Sequence, residues 1–360
     1  MIRGTHSELK RHNRRLVLAA MHRLQLSSRV ALASETGLTK PTISSIVNEL
    51  LDEGLVTEDG RGSSTGQGGK RPTLLRFQPA SRQVIGIAVE PGRVTGLLSD
   101  MAGVVSAQHE VAAAGQAAGE ALSRVAAGLL PQLDASLLGI GIAVPGRADT
   151  AHGTVLHSAA LGLQDSDLAG PLEAEFGVPV WLANYAELSA LGKLAFGAEA
   201  DALPATLVTI ALDGQVELGV SRQYGAEHYG SEIQAPLLTE VGLDQAGLAE
   251  LLPTGEGESW LRLRYLNLAG DEASLRRTAE LANRLARLVA WTSIILAPDL
   301  VSLSGGVTGL GAEFLQQVRE RVKQLLGPDL APRLELARSL QLGPLGAVAL
   351  VLQQELELLT

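Results

Sequence analysis

Apolar positions recur with two different periods along the chain, and the change of period divides it. Over residues 8–24, Leu9, Leu16, Ala20 and Leu24 recur near helical spacing, with Lys10, Arg11, Arg14 and Arg15 between them, which predicts an amphipathic helix. Ser27 or Ser28 can cap a second helix over Arg29–Thr36, Gly37 can end it, and Leu38 follows as a buried turn residue. Thr39 can cap a third, with Pro41 in the first turn, where a missing N–H costs nothing. In that third helix Ile43, Ile46, Val47, Leu50 and Leu51 form one stripe, Lys40, Thr42, Ser44, Ser45 and Asn48 lie off it, and Gly54 ends it. The period then drops to that of strands. Leu55–Glu58 and Thr73–Phe77 read as a strand pair around a Gly/Ser/Thr-rich loop from Asp59 to Gly69, followed by Lys70-Arg71-Pro72. Three short helices and a two-stranded wing predict a winged helix-turn-helix over residues 1–77.

Beyond residue 77 strands and helices alternate. Val84–Asp100 reads as two strands around Glu90-Pro91-Gly92. Glu110–Leu130 reads as helical towards its end, Leu137–Val144 as a buried strand stopped by Pro145-Gly146, and Pro179–Leu182 as another strand, with a helix from Ala186. Leu207–Leu212 and Glu217–Ser221 form a hairpin-like pair, a long amphipathic helix covers Ala273–Leu296, and Leu300–Leu303 is a strand before the turn Ser304-Gly305-Gly306 and a further helix. That alternation predicts a layered α/β body.

Charge follows the same division. Residues 1–76 carry 12 Lys/Arg against 7 Asp/Glu, a net +5, whereas the rest of the 360-residue chain carries 17 against 32, a net −15. A basic head on an acidic body points to double-stranded DNA as a partner of the head. The off-stripe residues of the third helix supply short donors and acceptors for base edges and phosphates, and Arg61, Lys70 and Arg71 of the wing are placed for phosphates or a minor groove. The chain has no cysteine, which excludes a disulfide framework, a thiolate metal site and a thiol nucleophile. His6, His12, His22, His109, His152, His157 and His228 show no metal-ligand spacing. Met1–Arg15 is too polar for a secretory signal, and the uncharged stretch Val289–Ala297 is too short to span a bilayer, so the expected location is cytoplasmic, away from membranes.

The order and spacing of several stretches resemble the ROK family of repressors and sugar kinases, in the DNA-binding branch that includes the xylose and N-acetylglucosamine repressors. They are the helix-turn-helix with Gly68-Gly69-Lys70-Arg71-Pro72 after it, Val84–Ile87, Gly141–Gly146, Val155-Leu156-His157 with Leu161-Gly162, Val178-Pro179-Val180 with Asn184, and Leu303–Val307. The resemblance implies a two-lobed actin-like ATPase fold, an α/β body behind the winged helix. One lobe would run from 78 to 185, with a C-terminal helix at 345–360 packing back on it, and the other from 186 to 344. It also implies a sugar cleft between the lobes and a homodimer or homotetramer.

The departures from the family pattern set the expected function. Where the kinases place an acid and a glycine-rich phosphate loop, this chain has Ala88, Glu90 and Pro91; the proline removes a donor and the glutamate repels phosphate. The second phosphate loop reads Leu212–Glu217 and adds two acids. The catalytic Asp after the sugar-binding Asn is replaced by Tyr185, whose phenol, with an ordinary pKa near ~10, is a poor base at neutral pH. Ala235 replaces the zinc-binding His, and Val241–Glu250 carries no cysteine; Leu237, Leu238, Leu243 and Leu248 are candidates for apolar packing in place of the metal. No enzyme activity, cofactor or metal is therefore expected. Asn184 and Glu232 match sugar-binding positions, and Glu250 a third, while Ala160 replaces another Asn. Tyr185 either stacks on a sugar face or fills the pocket, and Asn184 and Glu232 can equally cap helices or bond backbone.

The expected function is a transcriptional regulator, a repressor of carbohydrate-related genes that binds an inverted-repeat operator as an oligomer and is released by a sugar-class effector. The alternatives are a ligand-blind regulator answering to a protein partner, and a sugar kinase carrying a DNA-binding head.

Overall fold

A computed structural model of the chain describes residues 6–61, 71–90, 92–113, 117–158, 160–196, 206–212, 216–222, 227–232, 235–252, 259–337 and 341–358. Lys70, Pro91 and Asp213–Gln215, singled out above, lie outside the described residues.

The head is built from α1 (His6–Leu24), α2 (Arg29–Thr36) and α3 (Lys40–Asp52) against a three-stranded sheet. Its local chemistry follows the sequence closely. Ser28 Oγ accepts the N–H of Ala31 and starts α2; Gly37, in the left-handed conformation at φ 70°, ends it. Thr39 Oγ1 accepts the N–H of Thr42 and starts α3, with Pro41 in its first turn. Ile43, Ile46, Val47 and Leu50 are fully buried. The helix ends at Asp52, with Glu53 as its cap.

Three expectations for the head need correction. The buried face of α1 is Val17, Leu18, Ala20 and Met21, while Leu9 and Leu24 are exposed. Among the described side chains of α1 the buried ones lie in its C-terminal half; Lys10 and Arg14 pair with Glu49 (2.9 Å) and Glu53 (2.7 Å). The first wing strand, β2 (Val56–Arg61), runs three residues past the expected Glu58, so Arg61 sits on a strand rather than in a loop. A third strand, β1 (Leu26–Ser28), joins the two expected; it pairs antiparallel with β3 (Thr73–Phe77) and is too short to show alternation in the sequence.

The body holds two five-stranded sheets. The first contains β4 (Arg82–Glu90), β5 (Arg93–Asp100), β6 (Val105–Ala112), β7 (Ser136–Val144) and β11 (Val180–Asn184), in the order β11-β7-β4-β5-β6. β6 occupies residues 105–112, so the helical reading from Glu110 is corrected: the helix there, α4, spans only Ala118–Leu129. β6 is an edge strand of small and polar residues, which weakens its pattern. The second sheet has the order β14-β13-β12-β15-β16, from β12 (Thr206–Leu212), β13 (Val216–Arg222), β14 (Glu227–Glu232), β15 (Leu300–Ser304) and β16 (Arg333–Leu336). A small sheet of β8 (Arg147–Asp149), β9 (Thr154–Ser158) and β10 (Leu163–Asp167) follows the Pro145-Gly146 turn. Each large sheet pairs an antiparallel hairpin with parallel strands.

Helix α5 (Ala169–Phe176) precedes β11, and α6 (Tyr185–Phe196) follows it directly. After β14 come α7 (Ala235–Val241), α8 (Gln245–Leu251), α9 (Ser259–Leu268), the 25-residue α10 (Glu272–Leu296), and, beyond β15, α11 (Gly311–Leu326). The last helix, α12 (Leu342–Leu356), starts three residues earlier than expected and ends at 356. It lies across β4, β7 and β11, while α6 packs on it and on β12 and β13. These two helices therefore fill the layer between the sheets. α12 comes so close to the first sheet that a Cβ on Gly141 of β7 would stand 2.0 Å from the carbonyl oxygen of Ala347.

Candidate nucleic-acid interface and ligand cleft

The exposed side of α3 is polar because its apolar stripe is consumed inward. Lys40, Pro41, Ser45 and Asn48 are exposed, and Thr42 and Ser44 partly so. Two of these are already oriented: Thr42 Oγ1 lies 2.9 Å from Thr39 Oγ1, and Asn48 Oδ1 accepts a hydrogen bond from Arg29 of α2 at 3.1 Å. Glu49, the one acid within the central turns, is paired with Lys10. Lys40, Arg61 and Arg71 form no ion pair among the described residues, and all three are exposed. The exposed face of α3 therefore carries Lys40 and short donors, with its central acid Glu49 neutralised, and is suited to phosphates and base edges.

The cleft residues behave differently. Asn184 ends β11 beside Val144 of β7 and is only 2% exposed. Its Nδ2 donates to the Gly146 carbonyl at 2.6 Å, and its Oδ1 accepts from the N–H groups of Ala186 (2.9 Å) and Glu187 (3.1 Å). Asn184 thus caps α6 and holds the Pro145-Gly146 turn, the backbone role that the sequence left open beside sugar binding. One of its two amide N–H donors is used in this way. Tyr185 is buried among Ala88, Ala143, Ala183 and Ala211, with its ring against Gly343 of α12, so it fills this space rather than lining an open one. Ala160 is half-buried in the turn between β9 and β10.

Glu187 was not singled out from the sequence. It stands three residues after the capping Asn184, on the first turn of α6, where the sequence alone offers an ordinary capping-box acid. Burial raises its carboxyl pKa to about 7. At the position expected from the sequence for a first phosphate loop, Glu90 faces Arg93 across β4 and β5, and the Arg93 Nε donates to its carboxylate at 2.9 Å. Ala88 is buried next to it. In the second loop Leu212 pairs with Val216.

Glu232 ends β14, in backbone register with Glu217; its side chain, like those of Ala235 and Leu237, lies outside what is described. Glu250 is exposed on α8 and lies 3.5 Å from Arg284 of α10. Around it Leu238, Leu243 and Leu248 are buried against α10. A second element holds this region. The Arg284 guanidinium donates to the carbonyls of Gly242 (2.8 Å) and Gly247 (3.1 Å) and to Glu280 (2.9 Å). Asp244 caps α8 through the Gly247 N–H and accepts from Thr239, and these bonds lower its pKa. Among the described residues, the apolar packing of Leu238, Leu243 and Leu248 and the forked Arg284 cation hold this region together. No group of three or more metal-ligating side chains occurs among the described residues, and no helix there is long and apolar enough to cross a membrane.

Comparison with known proteins places this geometry. Residues 84–213 match the family described as "ROK family". A relative from Caldicellulosiruptor sp. (strain Rt8B.4), provisionally named a xylose repressor, is 27% identical over 89% of both chains. The xylose repressor of Caldicellulosiruptor bescii is 34% identical over 54% of this chain and 50% of its own length, so this alignment spans about half of that relative. Among solved structures, a ROK family transcriptional regulator, homolog of the E. coli MLC protein, superposes with TM-score 0.74 at 17% identity, covering 97% of this chain and 98% of the other. A ROK family glucokinase from Streptomyces griseus, in complex with glucose and AMPPNP, superposes with TM-score 0.60 at 20% identity over 74% of this chain and 98% of its own. The two-lobed fold expected from the sequence is thus established, and kinases share it.

Proposed function

Because the chain carries a ROK family domain behind a winged helix, we propose that it is a DNA-binding transcriptional repressor of carbohydrate-related genes. The observation that carries this reading is the exposed polar face of α3, backed by an inward apolar stripe, together with the exposed Lys40, Arg61 and Arg71, which form no ion pair among the described residues. Lys40, Pro41, Thr42, Ser44, Ser45 and Asn48 contact base edges and phosphates, and Arg61, Lys70 and Arg71 reach phosphates or the minor groove. The protein acts in the cytoplasm as a homodimer or homotetramer, which sets two heads on an inverted repeat. It is not an enzyme: Ala88, the Glu90–Arg93 hairpin and Tyr185 supply neither phosphate cradle nor base. A sugar-class effector binds beside Asn184, Tyr185, Glu232 and Glu250 and releases the DNA, with D-xylose as the first candidate, given the xylose repressors among the relatives.

The test is binding to a duplex selected by the protein from a random pool, followed by fluorescence anisotropy across a salt series. Affinity falls steeply with salt, and replacing Lys40, Arg61 and Arg71 together by alanine lowers the log–log slope by about 3. A flat salt response refutes the reading. One observation favours a second reading, a regulator that answers to a protein partner: Asn184 spends its carbonyl and one N–H on backbone. Calorimetry against D-xylose and other aldoses separates the two; heat supports the effector, and silence throughout supports the partner.

A further inference from the structure

Head and body are not joined by a linker. β3 ends at Phe77, a single 3-10 turn covers Pro79–Ser81, and β4 begins at Arg82. Across this joint one buried cluster is shared. It takes Val17, Leu18 and Met21 from α1 and Phe77 from the wing, Val84, Leu97 and Met101 from the first sheet and its turn, and Val348, Val351 and Leu352 from α12. Of its twenty residues only Ala20 is small, so the contact is made by large interlocking side chains. Polar ties cross the same seam. Arg11 Nε lies 3.1 Å from Glu357, the Arg82 guanidinium donates to the Glu53 carbonyl at 2.9 Å, His22 Nε2 donates to the Met101 carbonyl at 3.3 Å, and the Met101 N–H donates to Pro79 at 3.2 Å.

The layer between the two large sheets has the opposite character. Seven of the eleven residues in the cluster there are alanine, among them Ala88, Ala186, Ala211 and Ala347. α6 and α12 cross with Gly192 and Gly346 facing each other, and a Cβ on Gly346 would stand 1.7 Å from the Leu188 carbonyl oxygen. Domain movement by shear proceeds by small sliding of packed helices, and here few large interlocked side chains have to be prised apart for it.

We propose that the winged helix, the first sheet and α12 form one rigid body, and that the second sheet moves against it along the α6–α12 layer. The regulatory signal is then the angle between the two sheets, which carries the heads with it; no hinge lies at the neck. This rests on the DNA-binding reading above.

The chain's lack of cysteine allows spin labels to be placed directly. Val30 on the head, Val104 on the first sheet's β5–β6 turn and Leu330 near the second sheet are exposed by 62%, 64% and 74%. Double-labelled proteins, Val30→Cys/Val104→Cys and Val30→Cys/Leu330→Cys, are diluted into unlabelled protein to suppress distances between subunits. Electron–electron distance measurements are then made alone and with the duplex selected from a random pool. The head–first-sheet distribution is a single narrow peak that the duplex leaves unchanged, and the head–second-sheet peak shifts. A broad, split or shifted head–first-sheet peak overturns the rigid body; a head–second-sheet peak unmoved by bound duplex overturns the joint. The duplex-free measurement does not depend on DNA recognition. A failed selection therefore counts against the proposed function, and a broad neck distribution counts against this inference.

Discussion

Glu187 is a carboxyl held in a place that disfavours its charge. In the unfolded chain it ionises near the ordinary value of 4.5, but burial keeps it protonated to about 7 in the folded protein. Between those values the folded state holds a proton that the unfolded state has released, so rising pH costs stability, and the full cost is present above pH 7. Glu187→Gln removes the charge while keeping the shape. The variant is expected to be more stable than the parent at pH 8, by up to about 3 kcal/mol, with the gap closing towards pH 4.5; equal melting temperatures at pH 8 would refute this. Arg284 is the converse, a charge the fold uses fully. Arg284→Met strands the carbonyls of Gly242 and Gly247 and should cost about 2 kcal/mol in urea denaturation. Arg284→Lys recovers only part, because one ammonium cannot reproduce the fork, and full recovery by lysine would sink the argument. Neither residue was legible as part of the site. Glu187 reads as an ordinary capping-box acid, and Arg284 as half of an i,i+4 pair with Glu280, until the tertiary fold sets backbone carbonyls against the guanidinium. Asn184 and Tyr185 were found from the sequence, but whether they bind sugar, cap a helix or fill space depends on what stands beside them.

At the scale of elements, the sequence is most informative where local chemistry alone decides. Thr39, Pro41 and Gly37 mark the ends of α2 and α3 because caps act within a few residues. Strands β1, β6, β8–β10, β14 and β16 are short or at sheet edges, so each carries too few alternating apolar positions to stand out in the sequence. Glycines show the same division, since their role depends on what lies across from them. Gly346 faces the Leu188 carbonyl, a backbone atom that no rotamer change can move. Gly346→Ala is therefore expected to destabilise the protein by about 1–3 kcal/mol. Gly119, in the first turn of α4 with open space around its Cβ position, gives the control: Gly119→Ala should stabilise by about 0.5 kcal/mol. Chemical denaturation of both variants checks the pair, and equal effects would show that the α6–α12 crossing is not tight.

For the whole molecule, the seam between head and body contains a buried histidine that ties them in a pH-dependent way. His22 of α1 has its ring edge against Phe77, with centroids 5.4 Å apart, and bonds the Met101 carbonyl. Burial lowers its pKa from 6.5, against smaller upward pulls from the Met101 bond and from Asp100. A histidine kept neutral by folding makes the unfolded state the better proton acceptor below pH 6.5. Stability therefore falls as the pH drops through that value, the reverse of the Glu187 effect. The two trends oppose each other between pH 5 and 7 in the parent, which hides both; single variants expose them. His22→Phe preserves the ring and the packing against Phe77 while removing the titration. Its unfolding free energy, measured from pH 8 to pH 5, should decline less on the acid side than the parent's. Because the seam is one continuous core, the loss in the parent should be seen by probes in the head and in the first sheet at the same pH. Separate head and body transitions would mean that the two are independent units, and an unchanged acid-side decline in His22→Phe would move the pH sensitivity away from the seam.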